Sequence, residues 1–238
     1  MNAMLASVRD LAEARVALAG GCDWLDIKEP HQGALGQVPL ATVRDIVCAA
    51  AGAVPVSATV GDRWDDAASI PQAVIAMAAT GVDYVKVGLR ARDLDTATAQ
   101  ALAAACAAGR QVIAVCMAED PPSSSDITRL ADCGVRGVML DTIDKHGPGI
   151  TGLLDVETLS AFVRVVHGLH LLAGLAGKLR VEDIAGLKPC GADYLGFRSA
   201  LCAAGNRRAG VDAQAFATVR TALNGYAPRI SINPSEVA

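Results

Sequence analysis

Gly21-Cys22-Asp23-Trp24-Leu25-Asp26-Ile27-Lys28, Gly81-Val82-Asp83-Tyr84-Val85-Lys86-Val87 and Gly191-Ala192-Asp193-Tyr194-Leu195-Gly196-Phe197 are three versions of one fragment. Each runs glycine, small residue, aspartate, aromatic, then a short apolar stretch. Glycine just past a helix adopts the left-handed terminal conformation at low steric cost. The apolar stretch that follows has strand length and is bounded by turn residues. Each fragment therefore closes a helix and opens the next strand. Gly134-Val135-Arg136 is a looser version.

Outward from these fragments, strand-like and helix-like segments alternate along the chain. Strands are expected at 4–7, 24–28, 54–60, 84–87, 111–117, 137–141, 169–173 and 192–197. Helices are expected at 8–19, 40–51, 71–79, 96–108, 125–132, 156–166, 181–187 and 212–223. About eight repeats of one strand–helix unit, joined by parallel crossovers, predict an α/β fold that is a single (β/α)8 TIM barrel. A doubly wound sheet is the alternative. The 238 residues match the size of such a barrel. No break in composition marks a boundary, so the barrel is expected over 1–225 and a C-terminal tail over 226–238.

The bulk properties narrow the function. Aromatics make up only 3% of the residues although 52% are hydrophobic, which suits short alanine-rich helices packed closely on a sheet. A net charge of −4 and a pI near 5.5 point away from nucleic acid and anionic membranes as partners. The longest uncharged run, 96–109, is too short to span a bilayer. Arg9 and Asp10 come too early for a secretory signal. Seven scattered cysteines without a CxxC pair read as reduced thiols of a cytoplasmic protein. The four histidines show no metal-ligand spacing, and there is no Walker loop, GxGxxG or GxSxG. No cofactor or metal is expected.

The chemistry lies with two lysines. Lys28 and Lys86 end two of the apolar strands, where an unpartnered ammonium is costly to bury. A lysine that loses its proton near neutral pH can attack a carbonyl and form a Schiff base. A salt-bridged or solvated strand-end lysine is the bland alternative. Asp26 lies two residues before Lys28 and so shares its strand face. The expected sixth strand ends on Asp141, and Lys145 follows within a glycine-rich segment that reads equally as a turn or a lid. In barrels the catalytic groups stand at the C-terminal strand ends, and the loops after strands seven and eight commonly bind phosphate through backbone N–H groups. Those loops are expected to offer Gly174, Leu175 and Gly177, then Gly196, Arg198 and Ser199.

With these residues in view, the chain resembles the (5-formylfuran-3-yl)methyl phosphate synthase family, also described as 4-(hydroxymethyl)-2-furancarboxaldehyde-phosphate synthases. The likeness runs from Met4 to about Leu201. Its most specific parts are the stretch from Gly20 to Gly36, Tyr84-Val85-Lys86-Val87-Gly88-Leu89, and Asp141-Thr142-Ile143-Asp144-Lys145. The resemblance implies condensation of two molecules of glyceraldehyde 3-phosphate into a phosphorylated furan aldehyde for methanofuran-type cofactor synthesis. It implies that Lys28 forms the Schiff base and Lys86 acts as general acid and base. Asp26, Asp141 and Lys145 fall where the family has supporting charges. The expected partner is a small sugar phosphate, and a homo-oligomer is expected because such barrels associate through helix faces. The rival readings are another Schiff-base sugar-phosphate aldolase or isomerase, or a non-catalytic barrel that binds a phosphorylated ligand.

Overall fold

The computed structural model describes residues 2–62, 66–107, 109–144 and 146–224. The expected tail, 226–238, lies outside the described residues, as does Lys145. The elements in order are β1 (Ala3–Val8), α1 (Leu11–Ala19), β2 (Trp24–Ile27), α2 (Leu40–Ala50), β3 (Val56–Asp62), α3 (Ile70–Ala78), β4 (Tyr84–Leu89), α4 (Thr96–Cys106) and β5 (Val112–Met117). They continue with α5 (Ser124–Asp132), β6 (Gly137–Asp141), α6 (Ile150–Leu153), α7 (Val156–Gly168), β7 (Leu172–Leu175), α8 (Asp183–Leu187), β8 (Tyr194–Phe197) and α9 (Ala213–Leu223). Each strand pairs with the next, and β8 returns to β1, closing the barrel. Every pairing is parallel. The (β/α)8 expectation holds.

Local chemistry starts the helices. Asp10, Asp95, Asp155 and Asp212 each accept a backbone N–H in the first turn of α1, α4, α7 and α9. Ser123 and Asp126 form a reciprocal capping box on α5. Among the described residues, no helix is long and apolar enough to cross a membrane.

The repeated fragment has a structural job. The Asp23 carboxylate accepts the N–H of Met4 at 2.8 Å, Asp83 that of Val56 at 2.7 Å, and Asp193 that of Ala173 at 2.7 Å. Each aspartate thus ties the start of its own strand to the neighbouring strand, fixing register. The glycines before them, Gly21, Gly81 and Gly191, have φ of 77°, 90° and 72°. A side chain there would be strained whatever the space around it.

Side chains alternate along each strand. On β2, Leu25 and Ile27 join the apolar layer under the helices, whereas Trp24 and Asp26 point into the barrel. The aromatic of each fragment lands on the barrel axis. The Trp24 ring lies 4.7 Å from that of Tyr84 and 4.9 Å from that of Tyr194. Room for these rings comes from glycine on a neighbouring strand, where Gly174 pairs in register with Tyr194. A Cβ on Gly174 would sit 2.3 Å from the Tyr194 ring.

The seventh strand departs furthest from expectation. The seventh was expected at 169–173, but β7 is Leu172–Leu175. Helix α7 runs on through Gly168, and His170 turns the chain with φ of 60°. The apolar run Leu169-His170-Leu171-Leu172 is therefore split between helix end and strand start. Gly174 and Leu175 consequently lie within β7 and not in the loop that follows it.

Candidate active site

Inward positions near the C-terminal ends of β2, β4 and β6 carry charge in place of hydrocarbon. Asp26, Lys28, Lys86 and Asp141 are all buried, with Lys28 7% exposed and Lys86 1%. Burial at this level requires pairing. Lys86 Nζ lies 2.8 Å from Asp26 Oδ1, and Lys28 Nζ donates to Asp141 Oδ2 at 3.3 Å. Two cations therefore face two carboxylates.

Hydroxyls complete the acceptor side. Ser57 Oγ donates to Asp26 Oδ1 at 2.7 Å and Ser7 Oγ to Asp26 Oδ2 at 3.1 Å. The backbone N–H of Thr142 donates to Asp141 Oδ1 at 2.7 Å. On the side of β8, the Lys86 ammonium stands 5.5 Å from the centroid of the Tyr194 ring.

The electrostatics oppose each other across the pair. Burial pulls the Lys86 pKa down, against Asp26, which holds it up, and the nearby Lys28 charge adds to the fall. Burial also acts to raise the Asp26 pKa, but Lys86, Lys28 and the Ser57 hydroxyl outweigh it and hold the carboxyl below its usual range. Burial lifts the Tyr194 phenol well above the ordinary tyrosine value, so it stays protonated beside these charges. The thiols of Cys22 and Cys116 are pushed up to about 12 by burial, which leaves them poor nucleophiles. Among the described residues, no group of three or more histidine, cysteine, aspartate or glutamate side chains converges to hold a metal ion.

Two cavities open above the charges. A small one, about 30 Å³, is lined by Lys28, Asp141, Ser7, Gly177, Ser199 and Arg207. A larger one, about 670 Å³, lies beside it between the loops after β7 and β8. Its polar lining includes Lys178, Arg180, Arg207, Arg208, His146 and Ser199. Lys178, Ser199 and Arg207 belong to both.

The residues singled out from sequence, apart from Lys145, which lies outside the described residues, fall into three groups. Lys28, Lys86, Asp26 and Asp141 come together as one cluster. Gly177, Gly196, Arg198 and Ser199 line the small cavity. Gly174 and Leu175 sit in β7, with Gly174 against the Tyr194 ring. Several neighbours were not foreseen: Ser7, Ser57, Tyr194, Lys178, Arg180 and Arg207. Ser7 and Ser57 carry a signal in retrospect, since both occupy inward positions at the level of Asp26 in paired strands. Arg207 carries none, because it lies in an irregular segment between β8 and α9.

Comparisons with known proteins give the family. The family model described as 4-HFC-P synthase matches residues 4–220. A (5-formylfuran-3-yl)methyl phosphate synthase of Methanopyrus kandleri is 34% identical over 220 residues, covering 87% of this chain and 92% of that protein. The Methanococcus maripaludis synthase (strain S2) is 33% identical over the same length and coverage. A Methylorubrum extorquens protein, provisionally named for the same activity, is 43% identical over 209 residues, 88% of this chain and 86% of its own. Among solved structures, phosphoribosyl anthranilate isomerase from Thermus thermophilus superposes with a TM-score of 0.66 at 16% identity, covering 94% of this chain and 99% of its own. A 3-hexulose-6-phosphate synthase gives 0.60 at 18% identity, covering 92% and 98%. At those identities the two structures speak only for the barrel. The family match across the described barrel and the relatives that cover most of the chain lead to one conclusion: this chain belongs to the 4-HFC-P synthase family.

Proposed function

We propose that the chain is a carbon–oxygen lyase that condenses two molecules of glyceraldehyde 3-phosphate into (5-formylfuran-3-yl)methyl phosphate through a lysine Schiff base. Phosphate and water are lost, and the product serves a methanofuran-type cofactor. The observation that carries this reading is the placement of Lys28. It lines the small cavity beside Asp141, whereas Lys86 lies beneath the cavity in its pair with Asp26.

The steps follow from that division. The Lys28 amine adds to the carbonyl of one triose phosphate, isomerised beforehand on the enzyme, and loss of water gives an iminium. The iminium draws electrons from the neighbouring carbon, so its C–H proton can leave. Lys86, with its lowered proton affinity and its Asp26 partner, is suited to move that proton. The enamine that results attacks the aldehyde carbon of the second triose phosphate, whose oxygen takes up a proton, and hydrolysis of the regenerated iminium frees Lys28. Cationic groups beside the cavity stabilise the departing phosphate. Lys145, outside the described residues, keeps the supporting role that the resemblance gives it.

Borohydride reduction in the presence of glyceraldehyde 3-phosphate, followed by peptide mass spectrometry, tests the covalent step. A reduced adduct on Lys28 is the expected result. Consumption of substrate with no adduct on any lysine would confine the amines to acid–base work and end the Schiff-base reading.

A further inference from the structure

Arg198 is the arginine that stands where a phosphate ligand is expected, at the end of β8. Its guanidinium is already engaged within the chain. Nε donates to the Arg207 carbonyl at 2.9 Å, Nη1 to the Ser7 carbonyl at 3.1 Å and to Glu13 Oε2. Nη2 donates to Glu13 Oε1 at 3.1 Å and to the Ala209 carbonyl at 3.0 Å. Arginine has five N–H donors, and here each has an acceptor. Its charge is also matched, because Glu13 is buried at 4% exposure and meets it in a two-pronged ion pair.

Two of those acceptors, the carbonyls of Arg207 and Ala209, belong to the segment between β8 and α9. That segment is a built strap. An antiparallel bridge joins Cys202 to Val211 at its base, and Asp212 N–H donates to the Leu201 carbonyl at 2.8 Å. Within it, Ala209 N–H donates to the Asn206 carbonyl at 2.9 Å. From outside, Arg9 donates to the Arg208 carbonyl at 2.8 Å. The strap carries the Arg207 side chain across the mouth of the barrel to the carbonyl of Gly33 at 3.2 Å. Arg207 is half-buried and lines both cavities. Among the described residues, no carboxylate is in ion-pair contact with it.

We propose that Arg207 is the phosphate-contacting arginine of this site, and that Arg198 is the positioning residue that holds the strap and aims it. A guanidinium with open valence between a cationic cavity and the Lys28–Asp141 pair is placed to meet a phosphate monoester whose carbon end faces Lys28. Lys178, which lines the same two cavities, is its natural partner on the β7 side. This inference rests on the phosphorylated-substrate reading above and adds which side chain meets the anion.

The test uses inorganic phosphate as the probe, titrated calorimetrically into the full chain and its Arg207→Ala, Arg207→Lys and Arg198→Lys variants. Arg207→Ala is expected to weaken phosphate binding about tenfold or more, with Arg207→Lys in between. Arg198→Lys is expected to weaken it too and, as a second readout, to speed tryptic cleavage after Arg207 and Arg208. Circular dichroism checks that each variant is folded. Wild-type affinity in Arg207→Ala overturns the proposal. So does weakened binding in Arg198→Lys with unchanged cleavage, since Arg198 would then be the ligand itself. Phosphate binding that depends on Arg207 in a chain that makes no furan from glyceraldehyde 3-phosphate would sink the proposed reaction and leave the Arg207 assignment standing.

Discussion

The two ends of this barrel are built from the same strands and obey opposite rules. At the floor, Trp24, Tyr84 and Tyr194 fill the axis against Gly174, and the aspartates of one repeated fragment lock the strand starts together. Everything there serves packing. Two residues further along β2 and β4, the same inward positions hold Asp26 and Lys86, whose burial costs more than hydrocarbon would. The lesson is a division of labour along a single strand. The floor supplies the stability that lets the mouth hold charges unfavourable for folding.

That division can be broken from either end, and the largest effect is expected at the mouth. Lys28→Ala should lower turnover of glyceraldehyde 3-phosphate about a thousandfold or more, equivalent to roughly 4 kcal/mol of barrier. Its thermal midpoint should fall as well, because the buried Asp141 carboxylate loses its cation. Steady-state furan absorbance and a melting curve read the two quantities, and full turnover in this variant would remove Lys28 from the mechanism.

Asp26→Asn probes the second buried pair of the mouth, where chemistry and stability are again coupled. It leaves the buried Lys86 ammonium without its carboxylate, a change that costs about 3–5 kcal/mol in comparable pairs. The pH dependence sharpens this. The folded chain holds the Asp26 proton less tightly than the unfolded chain, whose carboxyl is near 3.8. The stabilisation is therefore complete above about pH 3.8 and fades as pH falls through the lower folded value. Denaturant titrations across acid pH should show this fade in the wild type and a flatter profile in Asp26→Asn.

At the floor, Gly174→Ala places a methyl group against the Tyr194 ring and should cost about 3 kcal/mol of stability. The catalytic rate of the folded fraction should hold within a few fold. A stable Gly174→Ala protein with lost activity would reverse the assignment of this position to packing. Asp193→Ala, which removes the acceptor for Ala173 N–H and for His167 Nε2, should cost only about 1–2 kcal/mol. Chemical denaturation of the pair of variants ranks the two floor devices.

Much of this was legible in the chain itself. Glycine with positive φ, aspartate and an inward aromatic recur because each barrel unit solves the same local problem, and local problems leave local signals. The pairing of Asp26 with Lys28 on one face was legible from strand alternation. What alternation could not give was the partner. Lys28 bonds Asp141 across the barrel, and Asp26 takes Lys86, since barrel closure sets which inward side chains meet. Strand β7 was misplaced by three residues because an apolar run does not say where a helix cap ends and a strand begins.

The sequence alone determined the repeat, the α/β barrel that the repeat predicts and the two lysines at the strand ends. Only the tertiary structure decided that Arg198 is spent on Glu13 and the strap, leaving Arg207 at the cavity. The physical reason is that a guanidinium's role is set by which acceptors surround it, and Glu13 and Ser7, 185 and 191 positions away, reach Arg198 only after the barrel has closed.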